Sequence, residues 1–207
     1  MSAQPVVFLV DDDHGVRETL RQLLEHEGLL VKSYPAAQAF LDDYDPAVPG
    51  CLVLDVRMPG MSGLELQEIL AERQIKIPII FITGYGDVPM SVKALKAGAV
   101  DFLQKPFRRQ SLLECVSKAM AADMRSRQDN IQRIAIRNRF SRLTPREREI
   151  MEFIVVGKSN KEIAKELNIS HRTVEIHRAR VFDKMEANSL PDLIAMAVVC
   201  GICQLRW

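Results

Sequence analysis

Val6-Val7-Phe8-Leu9-Val10-Asp11-Asp12-Asp13 is an apolar run that stops abruptly on three acids. Three further runs end in a comparable way: Cys51-Leu52-Val53-Leu54 on Asp55, Ile77-Pro78-Ile79-Ile80-Phe81-Ile82 on Thr83, and Val100-Asp101-Phe102-Leu103 just before Lys105. Runs this continuous in apolar residues belong to strands covered on both faces, the situation of a parallel sheet. Between them apolar residues recur at helical spacing: Val16, Leu20, Leu23 and Leu24, then Leu64, Leu66, Ile69 and Leu70, then Val92 and Leu95 ahead of Gly98. The alternation predicts an α/β fold with a doubly wound parallel sheet. Ligands of such sheets bind beyond the carboxyl ends of the strands, where strand order reverses. The acids, Thr83 and Lys105 would all gather at that edge.

One of Asp11, Asp12 and Asp13 suits the N-cap of the following helix. As a group the acids suit a different task. Crowded carboxylates repel one another unless a hard cation sits among them, and oxygen donors in small number fit Mg2+ (or Mn2+). Such a cation would also neutralise an incoming phosphoryl group, leaving one carboxylate as nucleophile toward phosphorus. Lys105 offers a mobile point charge for a phosphate oxygen, and Thr83 offers a hydroxyl donor.

Val10-Asp11-Asp12-Asp13, Leu54-Asp55-Val56-Arg57-Met58-Pro59-Gly60, Ile82-Thr83-Gly84 and Lys105-Pro106-Phe107 follow one another through residues 5 to 120. In that order they resemble the receiver domain of bacterial two-component response regulators. The resemblance implies a five-stranded, flavodoxin-like sheet with Asp55 as acceptor of phosphate from a sensor histidine kinase. It implies Mg2+ held by Asp11, Asp12, Asp55 and the backbone carbonyl of Arg57, with Thr83 and Lys105 reading the phosphate. It also implies a cis Lys105–Pro106 bond, which X-Pro linkages tolerate cheaply. Phe102 falls at the position of the aromatic switch that turns inward when the threonine moves; a plain core phenylalanine on the last strand fits it equally.

The second half of the chain differs in charge. Residues 1–122 carry 12 Lys+Arg against 16 Asp+Glu, and residues 123–207 carry 16 against 11, so a nearly neutral total joins an acidic half to a basic one. The join falls in Met120 to Arg142, where Arg125, Arg127, Arg133, Arg137, Arg139 and Arg142 interleave with Gln, Asn and Ile without Pro or Gly. A helical, semi-rigid connector extending the last receiver helix is expected. Its charge serves either solvation or contact with DNA phosphates.

From Leu143 the pattern is helical throughout. Thr144 reads as a cap with Pro145 at the first helical position, and Ile150, Phe153 and Ile154 form an apolar face that Gly157 ends. Asn160 reads as the cap of a second helix with Ile163, Ala164 and Leu167 inward, and Ser170 as the cap of a third reaching about Met185. Short helices so joined make a helix-turn-helix with the third segment as recognition helix. At 100° per residue Val174, Val181 and Met185 face the core, leaving Arg172, Ile176, Ala179 and Asp183 outside with Glu175 and Arg180 at the flanks.

Leu143-Thr144-Pro145-Arg146-Glu147, Asn160-Lys161-Glu162-Ile163-Ala164 and Thr173-Val174-Glu175-Ile176-His177 resemble the LuxR-type DNA-binding module, over about Phe140 to Cys203. By position the resemblance places base readers at Glu175, Ile176 and Ala179, with Arg172 and Arg180 added. Phosphate contacts fall on Lys158, Ser159, Asn160, Lys161, Thr173 and Arg178. Relatives often carry Lys where this chain has Glu175 and Ala179. His177 lies on the flank of the buried side and reads as structural. A receiver joined to such a module is the arrangement of the NarL/FixJ family, and Arg172-Thr173-Val174-Glu175-Ile176-His177-Arg178-Ala179 with Ile82-Thr83-Gly84-Tyr85-Gly86-Asp87 resembles its FixJ branch.

Two domains of ordinary size account for the 207 residues: a receiver at 1–122, a basic helical linker at 123–140 and a helix-turn-helix domain at 141–207. No basic segment precedes the first apolar run, and the longest apolar stretch, Leu193 to Cys203, falls short of the roughly 20 residues that span a bilayer. A cytoplasmic protein with no membrane partner is expected. Cys51 and Cys115 read as core thiols, and Cys200-Gly201-Ile202-Cys203 as packing residues without the second pair a metal site would want.

The expected mechanism is a phosphorylation switch: phosphate on Asp55 reshapes the face built from Val88 to Gly98, Phe102 and the last receiver helix. A homodimer forms there and brings two recognition helices to double-stranded promoter DNA, with activation of RNA polymerase as the output. Two other classes stand beside it. A Mg2+-dependent aspartyl phosphohydrolase would use the same Asp55 but wants an acid/base where Arg57 stands. A phosphorylation-independent regulator would sense redox through Cys200 and Cys203.

Overall fold

The computed structural model of the protein describes residues 4–84, 92 and 94–202. The Tyr85-Gly86-Asp87 motif, Val88 and Cys203 lie outside the described residues. Two compact units form, Met1–Arg127 and Gln128–Trp207.

The first unit is a five-stranded parallel sheet in the order β2-β1-β3-β4-β5, from β1 Val6–Val10, β2 Leu30–Tyr34, β3 Gly50–Asp55, β4 Ile79–Thr83 and β5 Asp101–Gln104. Its helices are α1 His14–His26, α2 Ala37–Asp43, α3 Gly63–Glu72 and α4 Arg109–Ser141, which runs on into the second unit. Side chains alternate between two cores because successive strand residues point to opposite faces. Phe8, Leu52, Leu54 and Phe81 join Phe40 and Leu66 on one face. Val7, Leu9, Val53, Ile80 and Ile82 join Leu24, Leu112 and Val116 on the other. The edge strand β2 buries only Tyr34, so its sequence lacks the continuous apolar signal of the central strands.

Register brings the strand ends together. Val10 pairs with Leu54, Asp55 with Ile82, and Thr83 with Gln104, so Asp11, Asp55, Thr83 and Lys105 follow one another along a single edge. At the opposite edge the N-terminal unit extends past residue 122. Asp123, only 2% exposed, accepts from the Gly50 N–H (2.9 Å) and from Arg127 Nε (2.7 Å), while Arg127 donates to the carbonyls of Ala47 and Val48. These bonds tie the α4 segment through Arg127 to the sheet.

The second unit is helical: α5 Pro145–Val155, α6 Asn160–Glu166, α7 His171–Met185 and α8 Leu190–Val199. Ile150, Ile154, Ile163, Val174, Val181, Met185 and Leu193 form its core, onto which Ile136 and Phe140 of α4 pack. Asn160 is the first residue of α6, and the cap is Ser159. The Ser159 hydroxyl accepts from the Glu162 N–H, and the Glu162 carboxylate accepts from the Ser159 N–H, a reciprocal pair that Asn160 cannot make. Asn168 takes left-handed backbone (φ 50°) in the turn between α6 and α7, a conformation asparagine tolerates. No helix of the described residues is long and apolar enough to cross a membrane.

Glu147 shows how this small core is anchored. It is buried (2% exposed), and its Oε2 accepts from Lys184 Nζ (2.6 Å) and from the Thr144 N–H (2.8 Å), joining α5 to α7. Burial works against its charge, but the hydrogen bonds from Lys184 and Thr144 outweigh it and hold the carboxyl below the usual range. A depressed folded-state pKa stabilises above the unfolded value of about 4.3, and this is lost as pH falls through the folded value. Glu147→Gln should therefore cost the helical unit about 2 kcal/mol near pH 7 and progressively less below pH ~4, read by hydrogen exchange of α5 and α7.

Candidate functional site

At the carboxyl edge of the sheet the ends of β1, β3 and β4 and the residue after β5 supply the side chains. Asp11 and Thr83 are buried and Asp55 is 8% exposed, whereas Asp12 is open to solvent. One carboxylate oxygen each from Asp11, Asp12 and Asp55 lies within 4.8 Å of the others. Lys105 Nζ bridges two of these acids, 2.7 Å from Asp11 Oδ2 and 2.7 Å from Asp55 Oδ2. The Lys105 N–H donates to the Thr83 carbonyl at 2.7 Å, which fixes the chain that carries the ammonium. The Lys105–Pro106 peptide is cis. Asp55 Oδ1 accepts from the Arg57 N–H at 3.1 Å, bringing the Arg57 peptide beside the carboxylate. Asp13 is the acid that caps α1, accepting from the Val16 N–H at 3.0 Å.

Burial raises the Asp11 carboxyl above the ordinary range, and Lys105 offsets that only in part. For Lys105, burial opposes the charge, but hydrogen bonds to Asp11 and Asp55 win and raise the ammonium's pKa. Three carboxylates against one ammonium leave an excess of negative charge, in an all-oxygen donor set with one open flank. That is the chemistry of a hard divalent cation that keeps water ligands. Phe102 is half-buried on β5 with its ring 6.4 Å from that of Phe81. Sequence reasoning missed Arg17, whose guanidinium donates to the Asp11 and Asp12 carbonyls. Its only trace in the sequence is a basic residue one helical turn beyond the capping acid.

On the second unit, Arg172, Ile176, Ala179 and Arg180 are exposed on α7, and Glu175 is half-buried. Glu175 pairs with Arg172 (3.3 Å) and lies 3.5 Å from His171 Nδ1. Lys161 is exposed, whereas other residues expected at phosphates have partners within the chain. Lys158 Nζ pairs with Glu166 (2.5 Å) and lies 4.5 Å from the Phe153 ring centroid. The hydroxyls of Ser159 and Thr173 bond to Glu162 and Ser170, and Arg178 Nη1 is 3.5 Å from Asn160 Oδ1. His177 is half-buried with its Nδ1 out of contact with solvent. Cys51 and Cys115 are buried thiols. Burial also raises the half-buried Cys200 thiol, away from the reactive thiolate.

Comparison with known proteins matches both units. Residues 7–117 match the response regulator receiver domain, and residues 141–197 match the LuxR family of bacterial regulatory proteins. The chain is 46% identical over 201 residues to nodulation protein W of Bradyrhizobium diazoefficiens, covering 97% of this chain and 88% of that one. It is 45% identical over 196 residues to the transcriptional regulatory protein FixJ of Azorhizobium caulinodans, covering 95% and 93%. Among solved structures, the response regulator StyR superposes with a TM-score of 0.84 at 44% identity, covering 95% of this chain and 99% of that one. The strand-end acids and the helix-turn-helix thus belong to one design, and the chain is a member of the two-component response regulators that join a receiver to a LuxR-type DNA-binding domain and regulate transcription.

Proposed function

We propose that Asp55 is the phosphoacceptor and that a sensor histidine kinase is its donor. The observation that carries this is the placement of the Asp55 carboxylate at the end of β3, 2.7 Å from Lys105 Nζ and clustered with Asp11 and Asp12. Asp11, Asp12, Asp55 and the Arg57 carbonyl would hold Mg2+, which supplies charge neutralisation to the incoming phosphoryl group. Lys105 then moves from the carboxylate to a phosphoryl oxygen, and Thr83 donates its hydroxyl to another. Phe102 follows the space Thr83 leaves, and the altered face of the receiver recruits a second copy. Two α7 helices then reach two half-sites on promoter DNA about one helical turn apart. Arg172, Glu175, Ile176, Ala179 and Arg180 face the bases; Lys158, Ser159, Asn160, Lys161, Thr173 and Arg178 face the phosphates. The output is activation of transcription through RNA polymerase.

The test uses the full chain with acetyl phosphate and Mg2+. Intact mass, sedimentation and mobility shift on a promoter fragment are compared for wild type and Asp55→Asn. A mass gain of one phosphoryl group with tighter self-association and DNA binding, in wild type alone, is expected. Equal responses from the two proteins would sink the assignment and return attention to the thiols, and multiple turnover of the phosphoester would favour a hydrolase.

A further inference from the structure

The acidic loop of the receiver is held from behind by the first turn of α1. Arg17, half-buried, directs Nη1 to the backbone carbonyl of Asp11 at 2.7 Å and to that of Asp12 at 3.3 Å. The Asp13 carbonyl accepts from the Arg17 N–H at 2.9 Å, so the same residue touches three consecutive peptide units. The carboxylates of this loop are not equally secured. That of Asp11 is fixed by Lys105 and by the Asp13 N–H (2.9 Å), and that of Asp13 by its capping bond. The Asp12 carboxylate is exposed and makes no hydrogen bond or ion pair among the described residues. Its direction toward the Asp11–Asp55 pair is set by the orientation of its own peptide, and that peptide is the one Arg17 holds.

We infer that Arg17 is a positioning residue for the divalent cation: through the Asp11 and Asp12 carbonyls it aims the Asp12 carboxylate into the cluster. The inference rests on the Mg2+ reading given above. Charge and geometry make opposite predictions for it. A guanidinium beside the site repels a divalent cation, so removing it would tighten binding if charge ruled. Groups that orient metal ligands are typically worth 10–100-fold in metal affinity, so removing it weakens binding if orientation rules. A lysine would keep the charge on a shorter stem without the planar guanidinium and would restore the alignment only in part.

The experiment is a calorimetric Mg2+ titration of the full chain for wild type, Arg17→Gln and Arg17→Lys. Thermal unfolding without Mg2+ and phosphoryl uptake from acetyl phosphate over a range of Mg2+ complete the comparison. Arg17→Gln should raise the Mg2+ dissociation constant about tenfold or more, with Arg17→Lys between it and wild type. The uptake rate of both variants should approach the wild-type rate at saturating Mg2+, because a positioning residue acts through cation occupancy. Should Arg17→Gln fail to fold, the Lys variant carries the test. Mg2+ affinity equal to or tighter than wild type in the folded variants overturns the inference, as does an uptake rate that saturating Mg2+ leaves low. A wild type that binds no Mg2+ overturns the reading of the cluster itself, and the inference with it.

Discussion

Lys105→Met is expected to destabilise the receiver unit by about 3–5 kcal/mol at neutral pH and to make that unit's stability depend on Mg2+. Lys105 Nζ makes two contacts of 2.7 Å, one with Asp11 and one with Asp55. Asp11 is 0% exposed and Asp55 8%, so water compensates little once the ammonium is gone. Methionine fills a similar volume, which separates loss of charge from loss of packing. A divalent cation restores the missing positive charge and, by binding only the folded state, returns stability in proportion to RT ln(1 + [L]/Kd). Hydrogen exchange of β1 and β3 across a Mg2+ series measures both halves. Wild-type protection in the variant without Mg2+ would show that the bridge contributes nothing net. On the role proposed for Lys105, the same variant should also lose the coupling of phosphate to DNA binding.

Gly63→Ala should cost at least about 3 kcal/mol, against the slight gain alanine gives at an open helical position. Gly63 begins α3, and its N–H donates to the Val56 carbonyl at 3.0 Å. A Cβ built there would lie 2.2 Å from the Asp55 carbonyl oxygen and 3.1 Å from Leu54 Cγ. The obstructing atom is the backbone of a central strand, bonded on both sides, so it cannot swing aside as a side-chain tip would. Relief requires α3 to withdraw or the end of β3 to bend, and either movement displaces the Asp55 carboxylate from Lys105. Chemical denaturation followed in the receiver, with uptake from acetyl phosphate measured per folded molecule, tests both consequences. Unchanged stability would mean that α3 shifts freely against β3.

Much of the candidate site was legible because it obeys a local rule. Asp11, Asp55 and Thr83 each follow directly on a run of buried residues, and parallel strands in register must bring such positions to one edge. The recognition helix was legible for a similar reason: Val174, Val181 and Met185 share a face by rotation alone, and all three are buried. β2 was hard to read because an edge strand has one neighbour and need not be apolar throughout. The capping of α6 turned on Glu162, whose carboxylate returns to Ser159; the choice between two adjacent cap-forming residues depends on where that acid falls.

The positions of the central strands, cap positions in outline, the charge division of the chain and which residues stand at the carboxyl ends of the strands thus followed from residue type and spacing, which act over a few positions. Tertiary structure alone decided the rest. It brought Lys105 within 2.7 Å of Asp11 and Asp55, and Asp123 to Gly50 across a separation in sequence that no periodicity spans. It paired Lys158 with Glu166 and set Arg17 behind the acidic loop. The reason is physical: patterning reports which face a residue takes, whereas a hydrogen bond depends on distances of a few tenths of an ångström that only the packed chain fixes.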